Sequence, residues 1–414
     1  MAHGLKSGYN DFINWYWDNL RNELLSCGEP IYSDDVCSFK VKQFDSIQNV
    51  ILRNSLYGND GYSIASDIVD SPEQLESDVP ELLLYISKNR SQRNWGGIEF
   101  DYYELLKQCV TQPNNHYDLS PKAINDQLDK IKLKLAEYLK SIIPDDLEPI
   151  TDFKRIIYSP IRKEEIAIAN LNDFESFLQT WANKDLQDAR YDFIPYQLYN
   201  EQVLLSQLRE YQRLCKERME GVESSPMVHN GGENPYSFAL PSEVLLLSFN
   251  YTDTAEFYSI KDQYGDVWKG NVIQIHNSLS NPEDMIFGYG DEHDEDYKKI
   301  LNQNNNDFLI NAKSVRYQES ENYRNMLSFL ESNKFQVFVL GHSCSTSDRT
   351  LLNTIFEHPN CVSIKPYYYR DKEGHDNYLE IVQNIYRNFT DMKLMRDRVV
   401  NKRFCEPLPQ KDSK

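Results

Sequence analysis

Between residues 241 and 395 the chain alternates short, nearly unbroken apolar runs with helix-like stretches. This alternation limits the fold more than any other feature. The runs are EVLLLSF, NVIQIH, MIFGYG, FQVFVLGH and CVSIKPY. Strands buried on both faces read this way, because no alternate position has to meet water. Helical stretches over residues 254–261, 321–332, 348–357 and 376–389 separate several of the runs. Strands alternating with helices predict an α/β fold built on a parallel sheet.

The earlier part of the chain is richer in helix. Tyr9, Phe12, Ile13, Tyr16, Leu20 and Leu24 recur at helical spacing and predict a helix over residues 8–26, stopped by Gly28 and Pro30. Residues 32–118 mix short helix-like pieces with turn signals. A longer helix is expected over residues 120–143, with Ser120 as N-cap, Pro121 at the first helical position and Pro144 as terminator. Its stripe is Ile124, Leu128, Ile131, Leu135, Leu139 and Ile142. Further helices are expected from Asn172, with Phe174, Phe177, Leu178 and Trp181, and over residues 197–220, ended by Gly221. The division that follows has the amino-terminal part of an α/β core at residues 1–118 and a helical insertion at 119–221. A loop at 222–240, the second half of the core at 241–395 and a frayed tail at 396–414 complete it.

The net charge of −20 argues against a phosphate-neutralising surface, so non-specific nucleic-acid binding is not expected. Seven cysteines occur without a CxxC pair or zinc-type spacing, which fits a reducing cytoplasm. No stretch approaches the eighteen apolar residues of a membrane span, and the start lacks a signal-peptide pattern.

Ligands of parallel α/β sheets bind beyond the carboxyl ends of the strands. Four strand ends here carry polar or glycine-bearing loops: Asn250 to Thr254, His276 with Asn277, Gly288 with Gly290, and GHSCSTSD from Gly341 to Asp348. Gly341 allows close backbone approach to a ligand. The Ser/Thr run then enters a helix whose free amides attract anions. Asp348 reads first as the cap of that helix and second as an acceptor for a ribose hydroxyl. GHSCS lacks the second glycine of the GxSxG elbow, which sets a serine hydrolase aside. His276 reads as a structural hydrogen-bonder or as a general base. Asn250 reads as a turn cap or a ligand contact, and Glu99 as an ion pair at an exposed helix start or a catalytic carboxylate. The loop DEHDEDY, Asp291 to Tyr297, carries carboxylates and His293 with no fixed coordination geometry, so a metal is not expected.

Together these residues resemble the abortive-infection AbiH family of bacterial phage-defence proteins. AHGLKSGYNDF resembles the segment that follows a G-N-G-F-D signature in that family. NWGGIE resembles a W-x-x-[apolar]-E element and places Trp95 and Glu99. SFNYTDT, IHN, FGYG and VLGHSCSTSD resemble its C-terminal series in order. The resemblance implies a strand and a glycine loop ahead of the AHGL segment, with Met1 standing just after them. A more distant similarity to sirtuin-like domains implies a Rossmann-like sheet with a large helical insertion.

The resemblance implies an anti-phage effector that binds, and hydrolyses, NAD or a related nucleotide. Its catalytic residues would be His276, Asn250 and Glu99. Its nucleotide contacts would be His3, Gly4, Asn250, Thr252, Gly288, Gly341, His342, Ser343 and Asp348. Asn277 stands where the sirtuin-like pattern has glycine. The helical insertion would sense a phage trigger or support homo-oligomer assembly. The alternatives are a non-enzymatic sensor acting through a partner, and a metal-dependent nuclease using Glu99, Asp348 and His293.

Overall fold

The computed structural model describes residues 8–42, 44–54, 73–89, 97–111, 119–144, 146–159, 161–176, 238–239, 241, 243–259 and 269–410. His3, Gly4, Trp95 and the helix expected over 197–220 lie outside these residues, as does most of the helix expected from Asn172.

The chain begins with α1 (Tyr9–Ser26), and all six residues of its expected stripe are buried. A small antiparallel sheet follows, in the order β1 (Ile31–Ser33), β2 (Ser38–Val41) and β3 (Leu75–Asp78), with α2 (Ile47–Asn54) between β2 and β3. The sequence did not announce this sheet, because strands of three or four residues are too short to establish a period. Next come α3 (Glu81–Asn89), α4 (Gly97–Thr111) and α5 (Pro121–Ile142). Ser120 caps α5 by accepting the Ala123 N–H at 3.2 Å. The stripe of α5 shares one continuous apolar cluster with α1, α3 and α4, and Tyr138 packs its ring 5.8 Å from Phe12 and 5.2 Å from Trp15.

After α6 (Thr151–Ile157), β4 (Ile161–Arg162) pairs antiparallel with β5 (Phe238–Ala239), so residues 238–239 are strand where a loop was expected. Residues 171–176 are helical, as expected at the start of that helix. Four of the five apolar runs then form strands. They are β6 (Glu243–Ser248), β7 (Lys269–Gln274), β8 (Phe335–Leu340) and β9 (Cys361–Tyr367). Between and after them lie α7 (Glu295–Leu301), α8 (Lys313–Arg316), α9 (Asn322–Ser332), α10 (Arg349–Phe356), α11 (Tyr378–Arg387) and α12 (Met392–Arg398). The helix expected over 254–261 is a short 3-10 segment, Asp253–Tyr258.

The α/β class and the parallel pairing are as expected, but one continuous sheet is not formed among the described residues. β6 pairs parallel with β7, and β8 pairs parallel with β9, as two separate pairs. MIFGYG is not a strand. The Ile286 N–H goes to the His276 carbonyl at 3.0 Å and the Gly288 N–H to Glu99 at 3.2 Å, so loop partners use the backbone groups a ladder would need. The tail is also ordered further than expected. Val400 N–H bonds to Ile364 O at 2.9 Å and Leu408 N–H to Tyr368 O at 2.8 Å, which ties this segment to β9. No described helix is long and apolar enough to cross a membrane.

Candidate functional site

Three of the strand ends meet. Phe249 follows β6, His276 follows β7 and His342 follows β8. The Phe249 ring lies 5.4 Å from the His276 ring and 4.1 Å from the His342 ring, centroid to centroid. His276 is 3 % exposed. Its Nε2 sits 3.2 Å from Asp348 Oδ1 and 3.2 Å from the Tyr317 hydroxyl. The Tyr317 ring is parallel to the imidazole within 4°, and the Tyr323 ring stacks on Tyr317 at 5.4 Å.

Asp348 does not cap α10. Its side chain makes no bond to the helix amides and turns to Lys313 and the two histidines instead. Burial inverts the expected role, since a carboxylate closed off from water is stabilised far more by a full positive charge than by a cap. The Lys313 ammonium, 1 % exposed, lies 2.8 Å from Asp348 Oδ1 and 2.9 Å from Glu99 Oε2. Glu99 is a buried ion pair in the first turn of α4, not the exposed one expected, and its Oε1 accepts the Gly288 N–H. Sequence reasoning missed Lys313 and Tyr317. They stand four residues apart at α8, so they share a face, but an isolated lysine in a short helix usually signals solvent.

Burial pushes the Asp348 carboxyl up, yet the Lys313 ammonium and then His276 outweigh it and hold the group well below the usual carboxylate range. Burial pulls Lys313 down, and Asp348 and Glu99 more than compensate, so it titrates above an ordinary lysine. Tyr317 is pushed well up, first by burial and then by Asp348 and Glu99, and stays a neutral hydroxyl. The signs fix a pH window. A depressed carboxyl stabilises the fold above its unfolded value of about 3.9 and loses that contribution as pH falls through the folded value. A raised lysine contributes fully below about 10.4 and loses its contribution as pH rises through the folded value. The stability difference between wild type and Lys313→Ala is therefore expected to be flat from about pH 5 to 9 and to shrink below about pH 4, read by urea unfolding at each pH.

The other rim residues are held by the backbone. Asn277 takes φ +61°, a left-handed conformation that Asn tolerates best after glycine. Gly341 has φ +75° and Cys344 φ +53°. Asn384 in α11 donates to the Ser343 carbonyl and Asn388, the residue after α11, to the Cys344 carbonyl, both at 2.8 Å, and together they pin this turn. His342 Nδ1 accepts the Cys344 N–H at 3.0 Å, which leaves Nε2 as the protonated nitrogen facing Asp348 Oδ2 at 3.6 Å. Asn250 is exposed, while Thr252 shares a hydroxyl contact with Thr254 at 2.9 Å.

A cavity of about 740 Å³ opens here, bordered by Glu99, Asn250, Thr252, His276, Gly341, His342, Ser343 and Asp348 and continued by apolar residues of β6 and β8. Gly288 faces the protein instead, because a Cβ there would stand 2.0 Å from the Asn311 carbonyl oxygen. At the start of α10 the Thr350 N–H is already taken by the Gly290 carbonyl at 2.8 Å, so this helix end is partly satisfied from within.

The nuclease alternative does not fit this geometry. Lys313 fills the space between Glu99 and Asp348 that a shared metal would need. In the acidic loop Asp291 pairs with Arg349 at 3.4 Å, Asp294 caps α7 and pairs with Lys107 at 3.3 Å, and His293 is exposed. Among the described residues the side chains spaced to share a metal are Asp371, Glu373 and His375, on an unrelated turn.

Fold and site define a mixed α/β protein with a buried lysine–carboxylate–histidine cluster at the strand-end rim of a cavity. The chain belongs to the bacteriophage abortive infection AbiH family, whose model matches residues 1–369. Membership connects the protein with phage abortive infection. No curated protein and no solved structure matches the chain.

Proposed function

We propose that this abortive-infection protein binds a nucleotide, NAD or a close relative, at the strand-end rim and hydrolyses its N-glycosidic bond. The setting of His276 carries the reading. It stands at the carboxyl end of a parallel strand and borders the cavity, and its Nε2 faces a carboxylate that Lys313 keeps ionised. Such a pairing sets the tautomer: Nε2–H points to Asp348, and Nδ1 is left as the basic atom. The water oxygen bonds to C1′ of the nicotinamide ribose as the C1′–N bond breaks. Nicotinamide leaves neutral, ADP-ribose is the second product, and the proton lost by the water passes to His276. Asn250 and Thr252 suit ribose hydroxyls, and the turn from Gly341 to Ser343 suits the phosphates. Glu99 is a positioning residue in this scheme, because Lys313 and the Gly288 N–H already engage both its oxygens. The Rossmann-like comparison belongs to the same reading and rests on the parallel pairs with ligand-facing carboxyl ends.

The purified protein is expected to release free nicotinamide from NAD, and His276→Ala to lower that rate by about 10²–10⁴-fold while the protein stays folded at the assay temperature. A folded His276→Ala variant that keeps full cellular toxicity removes His276 from the mechanism. Sensing without turnover is a second reading, favoured by the Lys313 clamp, which already neutralises two of the rim's carboxylates. NAD that raises the melting temperature with no nicotinamide released would select it.

A further inference from the structure

CVSIKPY reads as an apolar run, yet Ser363, Lys365 and Tyr367 fall on one face of it, two residues apart. In the observed register Gln336 stands beside Ser363, Phe338 beside Lys365 and Leu340 beside Tyr367. β9 is buried throughout, so these polar groups are enclosed on a face that parallel strands usually keep apolar. The chain after α6 covers them. Glu165 pairs with Lys365 at 2.7 Å and takes the Gln336 amide on its other oxygen at 2.9 Å, and the Ala167 N–H bonds to the Val362 carbonyl at 3.0 Å. Four polar atoms are left over. Nine buried side-chain polar atoms of the described residues have no hydrogen-bond partner, and Ser159 Oγ, Gln336 Oε1, Ser363 Oγ and the Tyr367 hydroxyl are four of them. They fall into two pairs. Gln336 and Ser363 are neighbours across the ladder near its amino end. Ser159 and Tyr367 meet at its carboxyl end, where burial and then the Glu406 and Glu165 carboxylates push the Tyr367 hydroxyl up and the nearby Ser159 opposes them. An enclosed polar atom without a partner costs free energy, and four on one strand pair call for a common cause.

We propose that this face is a binding site for ordered water, with about one molecule bridging each pair. The charges choose the ligand. A cation would meet the Lys365 ammonium and an anion the Glu165 carboxylate, and these two already neutralise each other. Gln336 Oε1 can only accept, so the ligand must donate to it, while the three hydroxyls donate or accept. Water does both, and in each pair it finds the two polar partners it needs to be held. Ser159 and Gln336 also border the cavity, which gives water its way in. Held there, the water ties residues 159–167 to the sheet alongside the contacts of Glu165 and Ala167. The site follows from these side chains alone, whatever ligand the rim takes.

Oxygen-17 relaxation dispersion of solvent water, which detects molecules held inside a protein, tests the site on the full chain. The double variant Ser363→Ala, Tyr367→Phe removes one anchor from each pair and adds no bulk. Its dispersion amplitude is expected to fall by the contribution of about two held waters. An unchanged amplitude overturns the proposal. So does a rise in the urea midpoint of the variant, which is the sign of hydroxyls that had no partner to lose. Should the double variant not fold, a crystal structure of the unaltered chain decides. A rounded density peak within about 3 Å of both members of each pair supports the proposal. No peak, side chains bonded directly to one another, or density too large for water overturns it.

Discussion

Lys313→Ala lowers the unfolding free energy by about 3–5 kcal/mol, the loss expected when one partner of a buried ion pair is removed. The stem of Lys313 is enclosed, and Glu99 and Asp348 are 7 % and 6 % exposed, so the variant leaves two carboxylates with little access to water. His276 gives Asp348 partial relief at 3.2 Å, and among the described residues Glu99 keeps only the Gly288 N–H. The loss is a large share of the roughly 5–15 kcal/mol that keeps a domain folded. The triple variant Glu99→Gln, Lys313→Met, Asp348→Asn is expected to recover part of it, because neutral groups of similar volume escape the desolvation of the charges. Urea unfolding of the three proteins at neutral pH measures the series. A wild-type midpoint for Lys313→Ala would mean that the ammonium is solvated and the cluster is not buried.

Gly288→Ala is expected to cost about 3 kcal/mol or more, at or beyond the upper end of ordinary overpacking. The added Cβ would lie 2.0 Å from the Asn311 oxygen and 2.9 Å from its carbonyl carbon. Neither side can retreat cheaply. The Asn311 oxygen accepts the Tyr289 N–H at 3.1 Å, and the Gly288 N–H is bonded to Glu99. Moving the loop therefore loosens the same carboxylate that holds Lys313. Gly374→Ala is the control, with φ +91° and nothing near its Cβ, at a cost of about 1–2 kcal/mol. Thermal unfolding should rank the two variants clearly apart, and an equal small loss in both would contradict the close approach at Gly288.

The rim residues show how far local reading reaches. Glu99, His276, His342 and Asp348 were legible because each follows a strand-like run or opens a helix. The structure does bring these four together around one cavity. Their roles were not legible in the same way. Asp348 at a helix start reads as a cap, and only the approach of Lys313 makes it an ion-pair partner. Gly288 reads as a residue for ligand approach, and only the position of Asn311 shows that protein backbone fills that space.

The sequence by itself determined the helices α1 and α5, the Ser120 cap, four strands and the parallel sense of their pairing. These depend on the 3.6-residue period, on caps, on unbroken apolar runs and on the order in which runs and helices alternate, all of which the linear sequence contains. Only the tertiary structure decided the break between the two strand pairs, the ordering of the tail along β9 and the cluster around Lys313. Lys313 meets Glu99 across 214 positions of chain and Asp348 across 35. Whether a lysine is solvated or buried between carboxylates depends on what folding carries to its side, and no local pattern records that.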